Sequence, residues 1–166
     1  PSEVPAALDE CPADALKAHP FALLVLMRSM FNWRNIPKML ELKALLLAAL
    51  EEHPELPAEE RGNLLGECDL IMSFLCYNDI SAMSRLHRSA SAQMSRPAIS
   101  IRSSGGWTFG SPSVLMMFYR APGELAGELA EMAECMPHYY KITNGHGQGA
   151  ETIMRAEALF CQGRFT

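Results

Sequence analysis

Two turns 44 residues apart share the same apolar frame, and this repeat restricts the fold more than any other feature of the chain. With Ile36 set on Ile80, residues Met30, Phe31, Trp33, Met39 and Leu42 fall on Phe74, Leu75, Tyr77, Met83 and Leu86. A third copy starts near the end, where Leu159, Phe160, Cys161, Gly163 and Phe165 match Phe74, Leu75, Cys76, Asn78 and Ile80. A period of this length belongs to two-helix units, which cannot bury their apolar faces singly and stack to do so. The expected fold is therefore all-α, built from stacked antiparallel helical hairpins across residues 1–166.

The segments between the turns have helical spacing. FALLVLMRSMFNW from Phe21 is too long and too apolar for one strand and predicts a buried helix. Pro37 suits the first turn of a second helix that runs to His53. Leu64, Leu65, Cys68, Ile71, Met72 and Leu75 recur three and four apart and predict a third. A fourth is expected from about Ile80 to Met94. The Gly-, Ser- and Pro-rich segment of about 97–111 reads as a long irregular loop, with Ile99 and Ile101 forming a brief extended piece. SVLMMFY predicts a short buried helix starting near Pro112 and capped by Ser111. PGELAGELAEMAECM places Leu125, Leu129, Met132 and Met136 on one stripe and Glu124, Glu128 and Glu131 on a solvated face, with Pro137 ending the helix. The last helix is expected to begin at Gly149 or Ala150.

Composition narrows the class. Hydrophobic residues make up 49% of the chain, but its apolar stretches are interrupted too often for a membrane span, and no signal peptide is recognisable. The expected setting is the cytoplasm, without membrane partners. Pro1 at the start and a fresh apolar segment just before Thr166 suggest a piece excised from a longer polypeptide. The five cysteines are an odd number with no close pair, so neither a disulfide framework nor a zinc knuckle is expected. No pair of histidines has the spacing of a compact metal motif, and no cofactor is expected in this piece.

Three features carry candidate chemistry. Between Ile80 and Gly123 there is no Asp or Glu, yet Arg85, Arg88, Arg96, Arg102 and Arg120 lie there; a formal charge of -5 on the whole chain makes this a local asymmetry. Trp107 and Phe109 in GGWTFGSPS either pin the loop or, beside arginines, stack a planar ligand. Arg85, Arg88, Arg102, Trp107 and Phe109 thus form a candidate group for recognising an anionic or aromatic ligand or a protein partner. In TNGHGQGAE the amides of Gly147 and Gly149 at a helix start are candidate anion contacts. His146 has a bland reading as loop structure and a sharper one as a metal ligand. Catalysis needs paired groups with separated proton affinities, and none is evident, so the chain is expected not to be an enzyme.

The runs FLCYNDISAMSRLHRSA, GSPSVLMMFYRAPGELAGELAEM and PHYYKITNGHGQGAETIMRAEALFCQGRF resemble the central region of large bacterial transcriptional regulators of the LuxR class with MalT-like architecture, most closely from about Leu64 onward. The resemblance implies tetratricopeptide-like superhelical repeats and a noncatalytic role in signal sensing or domain coupling. It further implies an inducer or protein partner, contact with neighbouring domains of the same polypeptide, and DNA contact only through a domain lying elsewhere. A constitutive protein-interaction scaffold is the alternative.

Overall fold

The computed structural model describes residues 3–76, 78–104 and 113–165. Every regular element among them is helical: α1 Glu3–Glu10, α2 Ala13–Lys17, α3 Pro20–Asn32, α4 Ile36–Glu52, α5 Ala58–Ser73, α6 Ile80–Gln93, α7 Val114–Phe118, α8 Leu125–Ile142 and α9 Ala150–Cys161. The all-α expectation holds. Helices α1 and α2, which the Pro-rich entry did not suggest, bury no residue fully; α2 lies against α3 and α4.

Local chemistry explains the hairpin turns. Pro20 and Pro37 occupy first-turn positions, where the missing N–H costs nothing. The Asn35 side chain accepts from Lys38 N–H, and Asp79 accepts from Ala82 N–H, so the equivalent helices α4 and α6 begin under equivalent caps. The first and third turns also match. Arg34 N–H bonds Phe31 O and Asn35 N–H bonds Met30 O, while Gly163 N–H bonds Phe160 O and Arg164 N–H bonds Leu159 O. In both, the fourth residue is left-handed, at φ 59° for Arg34 and 72° for Gly163, the αL helix end. The second turn differs, leaving α5 through a tight turn over Phe74–Cys76 with Asp79 N–H on Cys76 O.

Helix α3 packs on α4 and α5, α6 on α5 and α8, and α9 on α7 and α8. The interior is thereby divided in two. Leu24, Met27, Met39, Leu42 and Leu46 form one cluster with Leu64 and Ile71 of α5. Leu70 and Phe74, also of the α5 segment, join Met83, Phe118, Met132, Met136 and Met154 in the other. Helix α5 is apolar on two sides because it serves both cores. Its approach to α6 is close, since a methyl at Gly62 would stand 2.8 Å from Gln93 O and one at Gly66 3.0 Å from Ala90 O.

Three sequence expectations fail for physical reasons. Pro137 does not end its helix: α8 continues to Ile142, because Pro137 and Ala133, whose carbonyl loses its donor, both lie on the exposed side. Ile99 and Ile101 lie in bends and loop, not in an extended strand; the segment is pinned instead by Ala98 N–H on Ile142 O. Glu128 is buried rather than solvated, with Oε1 facing the Arg120 N–H at 3.3 Å and Oε2 unpaired among the described residues. The short helix α7 is capped by Ser113, whose hydroxyl accepts from Met116 N–H; the expected cap Ser111 lies outside the described residues.

Candidate functional site

The interior holds the most chemically suggestive group. His87 of α6 is buried between Ser73 Oγ, 3.0 Å from Nε2, and Cys135 Sγ, 3.0 Å from Nδ1. Ser73 spends its own hydroxyl proton on Leu70 O at 2.6 Å, so its lone pair accepts the Nε2–H. That leaves Nδ1 as an acceptor for the Cys135 thiol. Burial lowers the His87 pKa to about 3 and raises the Cys135 thiol to about 12. Both groups are neutral at pH 7, the opposite of the thiolate and imidazolium that a nucleophilic cysteine needs. The adjoining cavity, lined by Phe74, Met83, Met117 and Tyr139, measures about 10 Å³, barely room for one water.

The glycine loop is bonded from within where it enters α9. Asn144, Gly145, Gly147 and Gly149 all have positive φ, which winds the chain tightly between α8 and α9. His146 is carried inward, where Nδ1 meets the Tyr139 hydroxyl at 2.6 Å. The start of α9 is filled from within: Tyr140 Oη accepts from Gly149 N–H at 3.0 Å and Ala150 N–H at 3.2 Å, and donates to Glu151. A phenol thus sits where an anion was expected at Gly149. No group of three or more His, Cys, Asp or Glu among the described residues could hold a metal ion.

Tertiary structure also redistributes the arginines. Arg88 faces Glu134 at 3.0 Å and Glu131 at 3.5 Å; Arg96 faces Glu60 at 3.1 Å and the buried Glu67 at 3.4 Å; Arg120 reaches Asp79 at 3.1 Å. The acids missing from residues 80–123 are supplied by α5, α8 and the α6 cap. Arg85 shares α6 with Arg88 one turn away and is exposed, as is Arg102 in the loop beyond. Trp107 and Phe109 lie outside the described residues. The structure therefore brings together Arg85 and Arg88 on one helix, with Arg88 already paired.

A different surface is open. Helices α7 and α9 border a groove of about 420 Å³ lined by Leu115, Met116, Ala156, Glu157, Phe160 and Cys161. Met116 is 77% exposed and Phe160 69%. Glu157 is held at its rim: its Oε2 accepts from Leu115 N–H at 2.7 Å and from the Ser113 hydroxyl at 3.2 Å, closing the start of α7.

Several of these residues had a signal in the sequence. Glu67 lies three positions after Leu64 and four before Ile71, and His87 four after Met83, so both interrupt apolar stripes, the mark of a buried polar group. Glu67 then binds Ser100 N–H at 2.7 Å. Glu157 and Tyr140 carry no such mark; their partners are set by how α7 and the glycine loop pack. No helix among the described residues is long and apolar enough to cross a membrane. Compared with protein-family models, with curated proteins and with solved structures, the chain matches none.

Proposed function

We propose that this chain is a noncatalytic helical docking module whose working surface is the α7–α9 groove. The carrying observation is the apolar groove with Met116 and Phe160 exposed along it, beside a buried His87–Cys135 pair that is neutral and hydrogen-bonded within the core. Exposed apolar patches of this kind mark interaction sites, whereas isolated exposed side chains do not. The reading is consistent with the coupling region of a MalT-like LuxR-class regulator, in which the groove receives a neighbouring domain or an inducer. The open, mostly apolar lining that the described residues give the groove favours a protein partner over an inducer, and so favours the interaction-scaffold form of the reading.

The test compares the chain with a Met116→Ser, Phe160→Ser variant in thermal unfolding, against a panel of small apolar compounds and of amphipathic helical peptides. A peptide at a hundredfold excess over its Kd should raise the melting temperature by about 5–10 °C. The variant should lose the shift. If small compounds stabilise the parent and peptides do not, the groove is an inducer site; if neither acts, the docking reading fails.

A further inference from the structure

The loop between α8 and α9 holds the chain's one Asn–Gly pair, Asn144–Gly145; Asn32, Asn35, Asn63 and Asn78 precede Trp33, Ile36, Leu64 and Asp79. An asparagine before glycine is open to attack by its own backbone, because no β-carbon on the following residue shields the amide nitrogen. Asn144 is exposed and left-handed at φ 53°, one residue past Thr143 at the end of α8. Gly145 N–H closes that helix end on Tyr140 O at 3.0 Å. The proton that the attack must remove is therefore the one that Tyr140 O holds. Tyr140 also supplies the phenol that accepts from Gly149 and Ala150 N–H, so the end of α8 and the start of α9 hang on one residue.

We propose that Asn144 is a site of spontaneous deamidation whose rate the folded loop controls and whose product unfastens the α8–α9 corner. When the loop opens, hydroxide takes the Gly145 amide proton and the nitrogen bonds to Asn144 Cγ. The Cγ–Nδ2 bond breaks, and Nδ2 takes a proton from water and leaves as ammonia. Water then opens the five-membered imide. Addition at Cγ gives aspartate; addition at the main-chain carbonyl carbon gives isoaspartate, which routes the backbone through Cβ and Cγ and lengthens it by one carbon. Both products set a carboxylate at the negative end of α8. Isoaspartate also carries Gly145 N–H out of register with Tyr140 O, and so loosens the residue on which the α9 start depends. Because ammonia is lost to solution, the corner does not return to its first state.

Peptide mass spectrometry after warm incubation at mildly alkaline pH tests this, on the folded chain, the chain unfolded in guanidinium chloride, and folded Tyr140→Phe. Conversion at Asn144 should be fastest in the unfolded chain and about tenfold or more slower in the folded one, where open loops are the minority. Tyr140→Phe should fall between them, since it lacks the bonds to the α9 start. Circular dichroism checks that this variant is folded, and Glu151→Ala, which removes the acceptor of the phenol, replaces it if it is not. The isolated isoaspartate form should exchange its α9 amides faster than fresh chain. Asn144→Gly, which keeps the left-handed turn without the amide, should pass through the same incubation with its α9 exchange unchanged. No conversion at Asn144 in the unfolded chain overturns the proposal. Equal rates in the folded and unfolded chain do so too, as does an isoaspartate form whose α9 exchanges like that of fresh chain.

Discussion

At neutral pH the His87 ring is uncharged, and the fold depends on its staying so. Its folded pKa of about 3 lies below the ordinary value of 6.5, so the unfolded chain binds the extra proton first as pH falls. The stability that His87 contributes is complete above about pH 6.5 and is lost as pH falls toward 3, at roughly 1.4 kcal/mol per pH unit. Urea midpoints measured at intervals between pH 7 and pH 4 should show this slope, and His87→Gln should flatten it while lowering stability at pH 7. A second residue decides the anion question at the α9 start. Tyr140→Phe removes the oxygen that serves Gly149 and Ala150 N–H, at a cost of about 1–2 kcal/mol. Sulfate should then stabilise the variant more than the parent in thermal melts; equal responses would mean that these amides are not an anion site even when vacated.

Among elements, the α5–α6 pair is the most tightly specified. Gly66 lets the helices approach until a methyl there would meet Met94 Cγ at 2.5 Å as well as Ala90 O. Met94 can move but the backbone carbonyl cannot. Gly66→Ala should therefore destabilise by about 1–3 kcal/mol, against the usual gain for removing glycine from a helix, as chemical denaturation would show. The α3–α4 turn gives the opposite case. Arg34 holds a left-handed conformation that costs a side chain about 1 kcal/mol, at the position where the matching turn has Gly163. Arg34→Gly should raise the denaturation midpoint by about 0.5–1 kcal/mol equivalent, less the entropy glycine loses on folding.

For the whole molecule, the division into two clusters joined through α5 sets the pattern of local stability. Amide exchange should be slowest in α5 and α6, which are covered on several sides, and fastest in α1, which buries nothing. The same arrangement governs charge. The arginines of residues 80–123 form a positive block along the chain, yet folding pairs Arg88, Arg96 and Arg120 with acids from three other elements. A sequence-local field is therefore a poor guide to the surface field here.

The helical spacing and the breaks between helices around Asn35 and Asp79 were legible in the sequence because they depend on neighbours within one or two turns of chain. So was the glycine loop as a turn, since positive φ is the conformation glycine and asparagine accept most readily. Pro137 misled because whether a proline stops a helix depends on which side of it meets solvent, and Glu128 because the burial of a carboxylate depends on which arginine arrives beside it. The groove between α7 and α9, the Tyr140 phenol at the α9 start and the His87–Cys135 contact join residues 42, 9 and 48 positions apart. Spacing along the chain fixed which residues share a helical face; only the packing of those faces decided which polar groups were consumed inside and which apolar face was left open.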